Sequence, residues 1–306
     1  MTKTESVVAG VASTIRFDVE REAVAAALET LADRAARALD PRVADSVRYA
    51  LLGAGKRLRA ILLIAAYRAT GGRGDASALA AAVEVVHAYS LVHDDLPCMD
   101  DDDVRRGRPT VHRKHGVIAA TAAGVAMVPL AAQAAVEAAS ALGLSEAAQA
   151  EIVRTLMQAS GASGMIGGQL LDLEAEGQAL DATQLERIHR LKTGALIRAS
   201  VRLGGLAAEA APSVMSALER YGDAVGLAFQ IADDVLDVTA TTDQLGKTAG
   251  KDAAHGKSTY PAVLGLDAAR ARADALADEA CEALQQAGIQ SAELEYLAQY
   301  AVARPS

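Results

Sequence analysis

The sequence predicts an all-α fold, and three observations carry that expectation. Ala-rich stretches such as "ALAAAVEVV" and "IAATAAGVAMVPLAAQAAVEAASALG" favour helix, because Ala costs least in a helix interior. Apolar residues recur at helical spacing between short breaks, and no run of alternating β-branched residues bounded by turn signals reads as a strand. The breaks are short: "TGGRGD" at 70–75, the aspartate stretch after 93, "LGLS" at 142–145, "EGQALD" at 176–181 and "EAAPS" at 209–213. None is long or polar enough to link domains, so the 306 residues are expected to form one domain, 1–306, of ten or more packed helices. The longest irregular stretch is residues 239–258, "TATTDQLGKTAGKDAAHGKS", a candidate mobile loop over a site.

Composition excludes several function classes. A formal net charge of −9 argues against a general nucleic-acid binder, which needs a basic face. The two cysteines, Cys98 and Cys281, are too few for a disulfide framework or a zinc site, which favours a reducing cytoplasm. The N-terminus is acidic where a signal peptide would be basic. Residues 117–136 are the segment most easily mistaken for a membrane span. They are mostly Ala and Gly with Thr121, Pro129 and Gln133 among them, so a buried core helix is the expectation and no membrane span is assigned.

"HDDLPCMDDDDVRRGRPT", residues 93–110, places six aspartates within ten positions and then three arginines. Crowding like charge is unfavourable unless something of opposite charge completes it. Asp94 and Asp95 close a helix, Pro97 disrupts the following turn, and Asp100 returns from a short bulge. A second cluster, "FQIADDVLD", sets Asp233 and Asp237 four apart on one helix face, with Asp234 turned about 100° aside. Carboxylates in such pairs suit Mg²⁺, a hard ion that takes one or two carboxylates plus waters and substrate phosphates. The spacing of neither cluster fits an EF-hand loop.

Basic residues accompany the acids. Arg105 and Arg106 follow the first cluster, "GAGKRLR" places Lys56 and Arg59 three apart on one helix face, "LKTG" carries Lys192 and Thr193, and Lys247 and Lys257 flank the irregular stretch. His87 lies two turns before Asp94. A ligand that chelates Mg²⁺ and accepts forked hydrogen bonds is a diphosphate. "GAGK" is not a P-loop, because Arg57 stands where Ser or Thr is needed and no strand precedes it. His93 and His112 lack companions at zinc-ligand spacing.

With these motifs in hand, the chain resembles the trans-polyprenyl diphosphate synthases, nearest to the bacterial farnesyl diphosphate synthases. "DDLPCMD" with "RRGRPT" looks like the first aspartate-rich motif in its longer form, and "FQIADDVLD" like the second. "GKRLR", "GGQLLDL", "LKTG", "LGKTAGKD" and "GKSTYP" match in order, over residues 50–265. The resemblance implies the all-helical isoprenoid synthase fold around a deep central cavity, usually in a homodimer, with three Mg²⁺ ions. Asp94, Asp100 and Asp233 would hold metal, with Asp237 assisting through water. Arg105, Lys192, Thr193, Gln230, Lys247 and Lys257 would hold the allylic diphosphate. Lys56, Arg59, His87 and Arg106 would hold isopentenyl diphosphate. The implied reaction is head-to-tail condensation of isopentenyl diphosphate with dimethylallyl or geranyl diphosphate.

Product length follows from the same resemblance. Tyr89, five residues before the first motif, would form the floor under the growing chain with Ser90 beside it, which implies farnesyl diphosphate. One segment departs: Val117 and Val125 replace two acidic residues usual in relatives, and Pro129 falls within the helix. Loss of a buried acid at 125 is expected to alter packing near the first motif, and small side chains there would open the cavity toward a twenty-carbon product. Two rival readings are a terpene cyclase, which has no use for a second diphosphate site, and a catalytically weak partner subunit. The intact aspartate motifs favour the synthase.

Overall fold

The computed structural model describes residues 15–239 and 257–303. Helices dominate: α1 Asp18–Ala38, α2 Pro41–Leu51, α3 Leu58–Ala69, α4 Ser77–Asp94, α5 Val111–His115, α6 Val117–Ala141, α7 Glu146–Ser160, α8 Met165–Glu174, α9 Ala182–His189, α10 Ala195–Ala207, α11 Pro212–Thr239, α12 Tyr260–Leu264, α13 Leu266–Gln286 and α14 Ala292–Ala303. The breaks fall where Gly, Pro and polar clusters stand in the sequence, including those at 70–75, 142–145, 176–181 and 209–213. Caps explain several starts. Asp40 accepts from Arg42 N ahead of Pro41 in α2. Ser145 accepts from Ala148 N for α7, and Asp181 with Gln184 forms a capping box for α9.

Two small features depart from pure helix. Val104–Arg105 and Arg108–Pro109 pair as an antiparallel hairpin, β1 and β2. Its turn is Arg106 and Gly107, both with positive φ. Arg190–Gly194 forms a single π-helical turn between α9 and α10.

Helix α4 is apolar on every side and buried from Ser77 to Val92 apart from isolated positions, as a central core helix must be. It packs with α1, α2, α6 and α7 in one apolar cluster. A second cluster joins α11, α13 and α14. Helices α3 and α10 face both, with Leu63 and Leu203 in the first, and Ile61 and Val201 in the second.

The expectation for 117–136 needs correction. The segment is helical within α6 and packs on α4 through Ala120, Ala123, Met127 and Ala131, yet Val117, Ile118, Val125 and Val136 are exposed, Ile118 at 88%. By length and composition α6 is one helix that could cross a membrane. Position 125 is itself 62% exposed, so the replacement of an acid by Val there removes nothing from the core.

Candidate active site

The C-terminal end of α4 and the C-terminal part of α11 open on one polar cavity. Its walls carry Asp94, Asp100, Arg105, Lys192, Thr193, Gln230, Asp233 and Lys257, with Arg59, His87 and Ser90 from the adjoining side. Most residues singled out from sequence thus converge, although 139 positions separate Asp94 from Asp233.

Local backbone explains the placement. Asp95 caps α4, and the chain turns through Pro97 so that Asp100 N donates to Asp94 O at 2.9 Å. The loop therefore returns Asp100 beside Asp94. Arg105, on the hairpin, donates through Nε to Asp95 Oδ1 at 2.6 Å and reaches Asp102 Oδ2 at 3.2 Å. Lys192 and Thr193 ride on the π turn, a distortion that recurs at functional sites. Gly168 permits its close neighbour: a Cβ there would meet Lys192 N at 2.2 Å. That approach brings Asp172, one turn further along α8, within 2.7 Å of Lys192 Nζ and 2.9 Å of Lys257 Nζ. Lys257 also reaches Asp100 Oδ1 at 3.4 Å.

The second cluster sorts its carboxylates by role. Asp233 faces the cavity. Asp234 accepts from His189 Nε2 at 3.1 Å, Gln230 Nε2 at 3.1 Å and Tyr260 N at 3.0 Å, and Thr193 Oγ1 donates to Gln230 Oε1 at 2.7 Å. Asp234 is thus a structural hub that fixes the two neutral groups beside the cations. Asp237 does not line the cavity. It is buried, and its Oδ1 has no hydrogen-bond partner among the described residues.

Electrostatics divide the cavity. Burial pushes the Asp94 carboxyl up to about 6; Lys192 opposes the shift and Asp100 adds to it. Asp95 is also raised to about 6, first by burial. Burial would raise Asp172 too, but Lys192 and Lys257 outweigh it and hold the carboxyl below its ordinary value. On the other side, His87 is held well below its usual value by burial and by Arg59, Arg106, Arg105 and Arg57. It is therefore a neutral acceptor, 3.4 Å from Arg59 Nη1. Arg106 is lowered by burial and by its cationic neighbours Arg57 and Arg105. Carboxylates that favour a cation thus stand beside guanidiniums that favour an anion.

The donor set fits Mg²⁺. Asp94, Asp100 and Asp233 bring carboxylate oxygens, the ligands that ion takes, to the wall of one cavity. No three His, Cys, Asp or Glu side chains among the described residues enclose a single point. Mg²⁺ does not require such a cage, since waters and substrate phosphates complete its shell.

Lys56 and Arg106 fall elsewhere. Lys56 precedes α3, where Arg57 takes a left-handed conformation at φ 53°. Lys56 and Arg59 therefore share no helix face. Lys56 lies in a separate pocket with Arg16, Arg21 and Tyr296. Arg106 donates to Ala54 O at 2.7 Å and lines, with His87 and Arg105, a smaller pocket behind the hairpin. Lys247 lies outside the described residues. Sequence reasoning passed over Asp172, although "GGQLLDL" had drawn notice, and over His189, which precedes "LKTG" by two residues.

An apolar groove of about 700 Å³ adjoins the polar cavity, lined by Tyr89, Val125, Val128, Pro129 and Leu170. Ser90, Asp94, Met165 and Gln169 belong to both compartments. Tyr89 is buried, sits edge-on to His93 at 5.5 Å and places its hydroxyl 3.5 Å from Ser160 O. His93 in turn donates to Thr121 O at 3.2 Å. It occupies room that only a glycine leaves, since a Cβ on Gly124 would lie 2.0 Å from its ring.

Comparisons with known proteins converge. The profile of the polyprenyl synthetase family matches residues 40–299. Farnesyl diphosphate synthase of Escherichia coli is 48% identical over 267 residues, covering 86% of this chain and 89% of the relative. The crystal structure of geranylgeranyl pyrophosphate synthetase from Pyrococcus horikoshii superposes with a TM-score of 0.80 at 29% identity, covering 99% of this chain and 100% of that one. Geranyltransferase from Helicobacter pylori, solved with magnesium and isoprenyl diphosphate, superposes at 0.76 with 27% identity, covering 99% and 97%.

Proposed function

The chain belongs to the polyprenyl synthetase family, and we propose that it condenses isopentenyl diphosphate with dimethylallyl or geranyl diphosphate, head to tail, to give farnesyl diphosphate. The observation that carries this reading is the junction of two compartments. A polar cavity rich in carboxylates and cations opens directly into an apolar groove, which suits a substrate with a diphosphate head and a hydrocarbon tail.

Asp94, Asp100 and Asp233, with Asp237 assisting, would hold Mg²⁺, which when bound neutralises the diphosphate charge. Lys192, Lys257 and Arg105 bind the allylic diphosphate and stabilise the charge that grows on it as the C–O bond ionises. Thr193 and Gln230, fixed by Asp234, orient that head group without adding charge. Arg59, neutral His87 and Arg106 hold isopentenyl diphosphate so that its double bond meets the allylic carbon. Lys56 and Lys247 are assigned to these sites by resemblance. Released diphosphate takes the proton, while the groove keeps water from the cation.

The exposed apolar face of α6, with Ile118 and Val125, is where a second copy of the chain would pack, so we read α6 as a bundle helix of a cytoplasmic homodimer with one catalytic domain per chain. A twenty-carbon product is the second reading, favoured by the small side chains of Val125, Val128 and Pro129 along the groove beside Tyr89. The test is product analysis with Mg²⁺, isopentenyl diphosphate and, separately, C5, C10 and C15 allylic diphosphates. A fifteen-carbon product that is not extended supports the first reading, a twenty-carbon product the second. No condensation with any starter overturns both.

A further inference from the structure

Gln169 stands at the boundary between the two compartments. It belongs to α8, one turn before the Asp172 that joins Lys192 and Lys257, and it lines both the polar cavity and the apolar groove. The residue is 8% exposed. Neither its amide nitrogen nor its amide oxygen has a hydrogen-bond partner among the described residues.

A buried amide without partners is unfavourable on both its atoms. A leucine or methionine would fill the same volume without that cost. The neighbouring amide shows the contrast: Gln230 has its oxygen taken by Thr193 and its nitrogen by Asp234. An uncompensated polar group at the meeting of charged and apolar walls is the pattern of a side chain completed by ligand.

We infer that the Gln169 amide contacts the allylic substrate where its head meets its tail, as a catalytic residue of the proposed condensation. The N–H donates to the bridging oxygen of the C1–O bond. As that bond breaks, its electron pair leaves with the diphosphate, and the hydrogen bond strengthens as charge accumulates on the oxygen. The amide oxygen faces the allylic cation left behind. The double bond of isopentenyl diphosphate then forms the new C–C bond, and the proton lost passes to the released diphosphate. The contact is made to the allylic partner, whose proposed ligands Lys192, Thr193, Gln230 and Lys257 share the cavity wall with Gln169.

This inference rests on the proposed function, and the experiment separates the two. Gln169→Leu and Gln169→Met are compared with the parent chain for melting temperature without substrate, and for kcat and KM in the condensation of geranyl with isopentenyl diphosphate. The expected result is a melting temperature unchanged or raised by about 2–4 °C. It is accompanied by a fall in kcat of about 10- to 100-fold with KM for isopentenyl diphosphate unchanged. A lowered melting temperature with retained kcat in both variants makes Gln169 a structural residue and overturns the inference. So does a raised melting temperature with unchanged kcat. Failure of Gln169→Leu to fold leaves Gln169→Met to decide, and failure of both to fold overturns it. Absence of turnover in the parent chain is a failure of the functional reading instead.

Discussion

Lys192 donates from Nζ to Asp172 Oδ2 at 2.7 Å, an ion pair between α8 and the π turn at the wall of the cavity. The same carboxylate oxygen accepts from Lys257 at 2.9 Å. Asp172 therefore holds close together, at the cavity wall, two ammonium groups that would otherwise repel.

Asp172→Asn removes the charge that makes this pairing favourable. Each charge-assisted hydrogen bond contributes about 1.5–3 kcal/mol. The expected outcome is a fall of about 100-fold in kcat/KM for the allylic substrate, with the helical content retained by circular dichroism. Parent-like kinetics would mean that Lys192 and Lys257 are positioned without Asp172.

The two aspartate clusters make a stronger demand. Asp94→Ala and Asp233→Ala each remove a carboxylate that faces the cavity, and each is expected to lower kcat by at least about 100-fold. Chelation of divalent ions should abolish turnover in the parent chain, and added Mg²⁺ should restore it. Near-normal turnover in either variant, or in the presence of chelator, would remove the metal assignment.

Glu84 supports the site from beneath. It is buried on α4, accepts from Arg57 Nη1 at 3.3 Å and takes the free backbone N–H of Ala60 in the first turn of α3 at 3.2 Å. Glu84→Ala strands a guanidinium that is only 12% exposed. Breaking a buried pair from one side costs about 3–5 kcal/mol, to be read from denaturant unfolding. Glu84→Gln, which keeps an acceptor oxygen for only one of the two donors, should lose less than Glu84→Ala.

How much of this was legible in the chain follows from the range of each interaction. The helices were readable because periodicity and breakers act over a few residues, as at Gly143 between α6 and α7. The convergence of Asp94, Asp100, Asp233, Lys192 and Lys257 was reached through resemblance to a family, since no local signal joins α4 to α11. The opposite roles of Asp233 and Asp234 were foreshadowed by the 100° helical rotation, but what Asp234 bonds depends on α9 and α12. Lys56 lies apart from Arg59 because one left-handed residue, Arg57, interrupts the continuous helix that their shared face requires. The packing argument at Val125 failed because burial is a property of the assembled bundle.

The open face of α6 gives a test of assembly. Ile118 is 88% exposed and Val125 62%, on a helix whose other side packs on α4. Ile118→Glu with Val125→Glu should convert a dimer into a monomer in light scattering after size exclusion, without loss of helical content. If the parent chain is already monomeric, this face has another role.

Tyr89, which we propose as the stop on product length, is held by geometry that can be cut one contact at a time. Its ring sits in the floor of the groove, held edge-on by His93 at 5.5 Å, and burial beside Asp94 pushes its hydroxyl up to about 12. The phenol is therefore neutral at any working pH and acts by bulk. Tyr89→Ala removes the ring and should shift products from fifteen carbons to twenty or more, while Tyr89→Phe should leave length unchanged. Gly124→Ala tests the support without touching the floor. Its methyl group would enter the space of the His93 ring and displace the side chain that braces Tyr89. A mixture of fifteen- and twenty-carbon products is expected, with the KM for isopentenyl diphosphate unaltered. Fifteen carbons alone from both Tyr89→Ala and Gly124→Ala would place the length stop outside this floor, and the small residues Val125 and Val128 would be the next positions to enlarge.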